Sequence, residues 1–561
     1  MEPIYKKFMT QTYGADGVVS AVDFHYPDNF NFAFDVVDEL ARRSPDKPAM
    51  IWLSKDKEKR VFTFADVSRD SARAANYFRS LGIRKGDVVL LVLKRHYQFW
   101  SAMMGLCKLG AIAVPATYQL TKKDLVYRFN RAGIKAVVCT GEGDVAAAAD
   151  EALAECPTVQ LRMMVNGRRD GWLDYDAGLA AQSDVFPRPA GADATAAEDI
   201  MLMYFTSGTT SYPKIAAHTF TYAVGHIMTG AEWHNCQPGG LHFTIAETGW
   251  GKAVWGKLYG QWMCESTVFV YDFDRFHADD MLQVMQDNKI TSFCAPPTMY
   301  RFFIHEDFEK YDLSSIRYAT TAGEALNPEV YNRFLAATGL RIMEGFGQTE
   351  TTLTVFNPVG SQNRVGSMGR PSPQYDIELL DDDDQPVEPG VVGEICISTK
   401  NGKPVGMFRE YYNDPAATAA AWHDGYYHTG DTAWRDEDGY LWFVGRKDDL
   451  IKSSGYRISP FEIESVIMEH PSVLECAVTG IPDELRGQLV KATIVLARGY
   501  EPSDALKKEI QDYVKHLTAP YKYPRAIEFV EELPKTISGK IRHNVIRAQD
   551  IDKVNKENEH A

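Results

Sequence analysis

The residues most able to do chemistry early in the chain are Tyr204-Phe205-Thr206-Ser207-Gly208-Thr209-Thr210-Ser211-Tyr212-Pro213-Lys214. Small side chains let backbone N–H groups close on an anion, hydroxyls add donors, and Lys214 brings a cation. Such a loop suits phosphate. It is not the Walker loop, because no second glycine and no Gly-Lys-Ser/Thr follow Gly208. The same residues also suit an ordinary Ser/Thr/Pro turn, so the loop alone leaves both readings open.

The elements that would position this loop follow a repeating pattern. Ile200 to Phe205 is a short apolar run, as a buried strand requires. Helical spacing over Phe32–Arg43 and Ala65–Leu81 alternates with strand-like runs at Ala49–Trp52, Arg60–Phe64, Val88–Leu93 and Ala136–Thr140. That alternation predicts a parallel, helix-covered sheet. Further strands at Ser314–Thr321 and Leu340–Met343 are expected to end in the turns Ala322-Gly323-Glu324 and Glu344-Gly345-Phe346-Gly347, where open α/β sheets bind ligands. Beyond about residue 365 the pattern becomes β-rich, with a hairpin-like pair Asp376–Leu380 and Gly393–Ser398. Asp381–Asp384 at its tip lacks the EF-hand calcium spacing and is expected to be a solvated turn. Residues 447–561 form a separate α+β unit. Its first helix is announced by Ser459-Pro460-Phe461-Glu462, with Ser as N-cap and Pro at the first position.

At 561 residues the chain exceeds one ordinary core. A net charge of −16 argues against nucleic acid as the main partner. The eight cysteines are scattered with no CxxC pair, which argues against a disulfide framework or a zinc site and for a reducing compartment. No signal-peptide core and no run of membrane-spanning length is found, so the expectation is a cytoplasmic protein without stable membrane insertion. Homo-oligomerisation is left open.

Taken with its downstream motifs, the chain resembles the adenylate-forming superfamily of acyl-CoA synthetases, luciferases and adenylation domains. The opening loop is similar to that family's phosphate-binding signature. Gly345-Phe346-Gly347-Gln348-Thr349-Glu350, Tyr427-His428-Thr429-Gly430-Asp431, Gly445 to Lys452 with Ser454-Gly455-Tyr456-Arg457, and Pro534 to Lys540 match its later signatures in order. The implied fold is α/β: a large N-terminal domain, 1–446, with helix-covered sheets and a β-rich portion, and a small mobile α+β C-terminal domain, 447–561.

The resemblance implies ATP, Mg²⁺ and coenzyme A acting on a small carboxylic acid. Lys540 would be catalytic, bridging carboxylate and phosphate. Glu350 would hold Mg²⁺ and Thr349 would donate to the α-phosphate. Asp431 would grip the ribose, and Arg446 and Arg457 would serve ribose or phosphate. Gly323-Glu324-Ala325 and Glu344-Gly345-Phe346 would wall the adenine, and Asp448 would be the hinge. Ser454-Gly455-Tyr456 would line the pantetheine tunnel, with Arg486 at the CoA nucleotide. Two departures from the family stand out. Ser211 replaces a glycine of the loop, and Gly347 stands where acetate-specific relatives carry tryptophan. With Trp233 and Trp255 narrowing the pocket, this implies a short-branched or medium-chain acid, or, in the alternative, an aromatic acid such as benzoate.

Overall fold

A computed structural model describes residues 2–206, 212–454, 456–483, 485–535 and 540–559; the side chains of Arg457 and 554–559 also lie outside the description. Two large sheets carry most of the N-terminal part. One has eight strands. At its centre Val88–Val92 pairs in parallel with Ile112–Pro115 and Ala136–Thr140, and towards one edge, inside the edge strand Glu410–Tyr411, Ile200–Phe205 pairs with Ile215–Thr219. The second has nine strands, with Ser292–Cys294, Tyr318–Ala322 and Ile342–Phe346 in consecutive parallel register. The parallel strands Val88–Val92 and Ala136–Thr140 are buried along their whole length, as sheets covered on both faces must be.

Local sequence sets the helix starts. Thr63 and Asp66 form a reciprocal capping box for Phe64–Ser80, and Thr121 and Asp124 do so for Lys122–Ala132. Ser459 accepts from the Glu462 N–H and opens Pro460–Met468, as its sequence predicts. The first 30 residues, expected as an arm, are packed onto the body: Met9–Tyr13 and Val19–Phe24 form a hairpin, and Ile4, Met9 and Phe30 are fully buried.

A third sheet of five strands contains Ile377–Leu380, Gly393–Ser398, Tyr426–Arg435 and Leu441–Arg446. The unit beyond it has its own five-stranded sheet, built on the antiparallel pair Val473–Asp483 and Gly487–Leu496. Its core of Ile451, Ile458, Ile463, Ile467, Ala492 and Ile510, among others, is distinct from those of the large sheets. The final helix is His543–Glu559. The fold is therefore the α/β class read from the sequence, with a large N-terminal and a smaller C-terminal part. One expectation needs correction. Glu344-Gly345-Phe346 is not a turn but the last stretch of the strand Ile342–Phe346, because its backbone pairs with Thr321–Ala322 on one side and Val355–Phe356 on the other.

The helical segments flanking the site cross at two glycines. A Cβ on Gly260 would stand 2.4 Å from the His226 carbonyl and 2.9 Å from the Gly230 nitrogen, both backbone atoms. Overpacking of this kind costs about 1–3 kcal/mol. Gly260→Ala is therefore expected to lower the calorimetric unfolding midpoint. Gly251→Ala is its control, since a Cβ there meets nothing within 4 Å; equal midpoints for the two variants would contradict the close crossing.

Candidate active site

Thr206 and Lys214 stand at the ends of a hairpin connection. Phe205 pairs with Ile215, and the Thr206 N–H donates to the Lys214 carbonyl at 2.8 Å. Ser207, Gly208, Thr209, Thr210 and Ser211, between them, lie outside the described residues. Tyr127, on the helix Lys122–Ala132, stacks on Tyr212 at 4.8 Å and donates its hydroxyl to the Pro213 carbonyl at 2.7 Å, so the flank of the loop is anchored to a second element.

Lys214 reaches back over the ring of Tyr411, its ammonium 4.6 Å from the centroid. Tyr411 in turn donates to a carboxylate oxygen of Glu350 at 2.9 Å. Glu350 is buried, which raises its pKa; the Tyr411 bond and the charges of Lys214 and Arg446 pull it back. Among the described residues one of its oxygens takes the Tyr411 hydrogen bond, which leaves the second oxygen to face a hard cation. A magnesium ion is held by one or two carboxylates together with substrate phosphates, and this arrangement fits that demand.

Asp431, 7 % exposed, lies beside these groups on the strand Tyr426–Arg435. Burial pushes its pKa up to about 6, against Arg446, a hydrogen bond from Gln348 and the charge of Lys540. The Gln348 amide donates to Asp431 at 2.6 Å and to the Thr429 carbonyl at 2.8 Å, while Tyr427 donates to the Gln348 carbonyl oxygen at 2.8 Å. Gln348 thus fixes the carboxylate's position. The two expected adenine walls also meet. The Leu326 N–H, just after Gly323-Glu324-Ala325, donates to Glu344 at 3.2 Å, and burial pushes Glu344 up to about 8.

Lys540 enters from the small unit. Its charge acts on Asp431 and also on Lys252, whose pKa is lowered first by burial and then by Lys540, against Cys294 and Glu324. Lys252 donates to the Ala322 carbonyl at 2.5 Å. Sequence reading missed Lys252, because the residues around Trp250 match none of the ordered signatures. It missed His218 too. That imidazole is fully buried and kept neutral, pushed down to about 3 by desolvation, and one of its nitrogens bonds the Thr349 carbonyl at 2.8 Å. A histidine closing the strand after the loop was the available signal.

Trp255 and Gly347 are in contact: a Cβ on Gly347 would meet the Trp255 ring at 2.5 Å and the Thr352 carbonyl at 2.5 Å. The Trp255 indole donates to Tyr222 at 3.1 Å. Trp233 is sealed, bonded to the Met343 carbonyl and packed against Gly345. It backs the site rather than rimming it.

Near the small unit, Arg446 pairs with Asp448 at 3.1 Å and Arg547 donates to the Asp448 carbonyl at 2.9 Å. The Ser454 N–H donates to the Arg486 carbonyl at 2.8 Å, and Tyr456 stacks on Tyr521 at 4.0 Å. Ser454 and Arg486 are thereby neighbours in the small unit, with Tyr456 two residues along from Ser454. Gly455 and the side chain of Arg457 lie outside the described residues. All eight cysteines are buried and free, and no helix among the described residues is long and apolar enough to cross a membrane.

Comparison with known proteins gives a consistent result. The AMP-binding enzyme family matches residues 37–412 and the AMP-binding enzyme C-terminal domain matches 462–540. The human mitochondrial acyl-coenzyme A synthetase ACSM4 is 38% identical over 535 residues, covering 93% of this chain and 91% of its own. Mouse mitochondrial ACSM3 is 37% identical over 564 residues, covering 98% and 96%. Among solved structures, the anthranilate CoA ligase AuaEII with anthranoyl-AMP superposes with a TM-score of 0.86 at 28% identity, covering 94% of this chain and 99% of its own. A benzoate CoA ligase from Burkholderia xenovorans LB400 gives 0.81 at 27% identity, covering 92% and 100%.

Asp431 can accept from hydroxyls as an ion above about pH 6 and loses that capacity as pH falls through its raised pKa. Adenosine, which has no phosphate to titrate, is expected to bind more weakly at pH 5 than at pH 8 by about tenfold, one pKa unit of lost ionisation. Asp431→Asn should flatten that dependence in calorimetric titration; an unchanged slope in the variant would assign it elsewhere.

Proposed function

The chain belongs to the AMP-binding enzyme family, and from that premise we propose that it is an AMP-forming acyl-CoA synthetase for short-branched or medium-chain carboxylic acids. The observation that carries this reading is the meeting of Glu350, Lys214, Arg446 and Asp431 with Lys540 from the small unit, acting on Asp431 and Lys252. The ACSM likenesses support the acyl class.

In the first half-reaction a carboxylate oxygen attacks the α-phosphorus of ATP. A new P–O bond forms, the bond to pyrophosphate breaks, and acyl-AMP results. Two anions must approach, so cations have to stand where charge builds. The charge of Lys540 acts on Lys252, and we assign these two lysines to the acid and the α-phosphate. Lys214 steadies the departing pyrophosphate. Magnesium, held through Glu350, would supply charge neutralisation along the phosphates. Asp431, set by Gln348, holds the ribose. His218 pins the Thr349 backbone without adding charge.

In the second half-reaction the thiol of CoA attacks the acyl carbonyl and AMP leaves. Our reading assigns 1–446 to binding ATP and acid and 447–561 to a unit that pivots at Asp448, withdrawing Lys540 and presenting Ser454, Tyr456 and Arg486 to CoA. The separate sheet and core of that unit support this division. The free cysteines support a reducing compartment, and we assign the cytoplasm; the ACSM relatives are named as mitochondrial.

A second reading, an aromatic-acid CoA ligase, draws on the likeness to the anthranilate and benzoate enzymes. A pyrophosphate-release screen over aliphatic and aromatic acids, with and without CoA, separates the two. The main reading expects the highest kcat/KM with a short-branched or medium-chain aliphatic acid; a maximum with benzoate would replace it.

Two variants probe the assignments. Lys540→Ala is expected to lower acyl-AMP formation at least about 100-fold, the usual weight of one positioned transition-state donor, while sparing thioester formation from supplied acyl-AMP. Equal losses in both half-reactions would remove its role. Trp255→Ala is expected to shift preference toward longer acids, by about tenfold or more per methylene newly accommodated. An unchanged chain-length profile would place the acyl group elsewhere.

A further inference from the structure

The acidic tip Asp381–Asp384 does not stand alone in water. It lies near the strands Gly393–Ser398 and Tyr426–Arg435, whose register sets Cys396 opposite His428. His423, on the short strand Trp422–His423, lays its ring on that of His428, with centroids 3.8 Å apart and planes within 8°. One nitrogen from each histidine and one carboxylate oxygen of Asp384 lie within 4.8 Å of one another. Glu394, Cys396 and His428 form a second grouping that shares His428.

We propose that Asp384, His423 and His428 form a binding site for one divalent transition ion of the zinc class, separate from the magnesium position at Glu350. Nδ1 of His423 faces the Asp424 carboxylate at 2.8 Å, and Nδ1 of His428 faces the Glu394 carboxylate at 3.5 Å and the Cys396 sulfur at 3.4 Å. Metal-bound histidines characteristically give their second nitrogen to a carboxylate, which fixes the tautomer and makes the ligating nitrogen more basic. Here both rings carry that support on Nδ1, which leaves Nε2 of each for an ion.

His428 supplies an independent sign. Its side chain is 8 % exposed, yet its Nε2 has no hydrogen-bond partner among the described residues. A buried polar atom left unpaired costs about 1–3 kcal/mol, and a bound ion removes that cost. The support behind it is itself anchored: Glu394 accepts from Lys447 at 2.9 Å and from the Gly430 N–H at 2.9 Å.

The donor set selects the ion. Two imidazoles and one carboxylate favour zinc and its neighbours, whereas magnesium and calcium prefer oxygens throughout. Zinc–nitrogen bonds of about 2.0–2.1 Å require lone pairs that converge, and stacked rings point theirs alongside one another. His423 must therefore turn on binding. Its side chain is 39 % exposed, and turning gives up its stack on His428 and re-aims its bond to Asp424, while His428 stays against Glu394 and Cys396. Three protein ligands leave a fourth position for water. The Cys396 sulfur faces Nδ1 of His428, not the side on which Nε2 lies, so it is not counted as a ligand.

The test uses the full-length protein, stripped of metal, titrated with zinc alone against a chromophoric chelator and without nucleotide. One equivalent is expected to bind. His423→Ala and Asp384→Asn should each weaken it at least about tenfold, the range seen when metal-site residues are lost. His423 is exposed and Asp384 part-buried, and circular dichroism verifies the fold of both variants. Glu350→Gln should retain the wild-type affinity. Absence of a stoichiometric site, wild-type affinity in both His423→Ala and Asp384→Asn, or loss of binding in Glu350→Gln would each overturn the proposal.

Discussion

Glu350 is a carboxylate shielded from water, with one hydroxyl bonded to it and cations from two directions: Lys214 after the loop and Arg446 from the β-rich sheet. Burying such a group is unfavourable unless opposite charge and hydrogen bonds are in place. The rest of the architecture serves that requirement. The hairpin towards the edge of the eight-stranded sheet delivers Lys214, the adjoining edge strand Glu410–Tyr411 delivers Tyr411, and Ile342–Phe346 ends just before Glu350. Asp431 and Arg446 arrive as directly paired residues of neighbouring strands. The site is assembled from several sheets, and the charge of Lys540, from the small unit, reaches Asp431 and Lys252 within it; in the proposed cycle Lys540 is the cation to be withdrawn.

Much of this was legible in the sequence because the chemistry is local in the chain. The loop flanks, Gly345 to Glu350, Tyr427 to Asp431 and the run to Lys540 are contiguous stretches, and the caps at Thr63, Thr121 and Ser459 declare their helices three residues at a time. What was not legible depends on register. Glu344-Gly345-Phe346 contains a glycine and sits before a polar stretch, so it suggested a turn, yet pairing on both sides keeps it extended. Trp233 and Trp255 look equivalent in sequence; only the path of the strand Ile342–Phe346 seals the first behind Gly345 and sets the second against Gly347.

Charge shows the same limit. Lys252 has no local signal, because its significance is the nearness of Lys540 almost three hundred residues later. His218 looks like an ordinary polar residue at a strand end until burial makes it a neutral clamp on Thr349. The pairing of Cys396 with His428, and the return of His423 beneath the acidic tip, follow from an antiparallel register that no spacing rule for paired cysteines could reveal.

The central claim is that the carboxylic acid itself becomes joined to AMP, and isotope transfer tests it most directly. A carboxylic acid labelled with ¹⁸O in both carboxyl oxygens is incubated with the enzyme, ATP, magnesium and CoA, and the products are weighed by mass spectrometry. The account predicts one labelled oxygen per molecule of AMP and none in pyrophosphate. Label appearing in inorganic phosphate, with ADP as the nucleotide product, would contradict it.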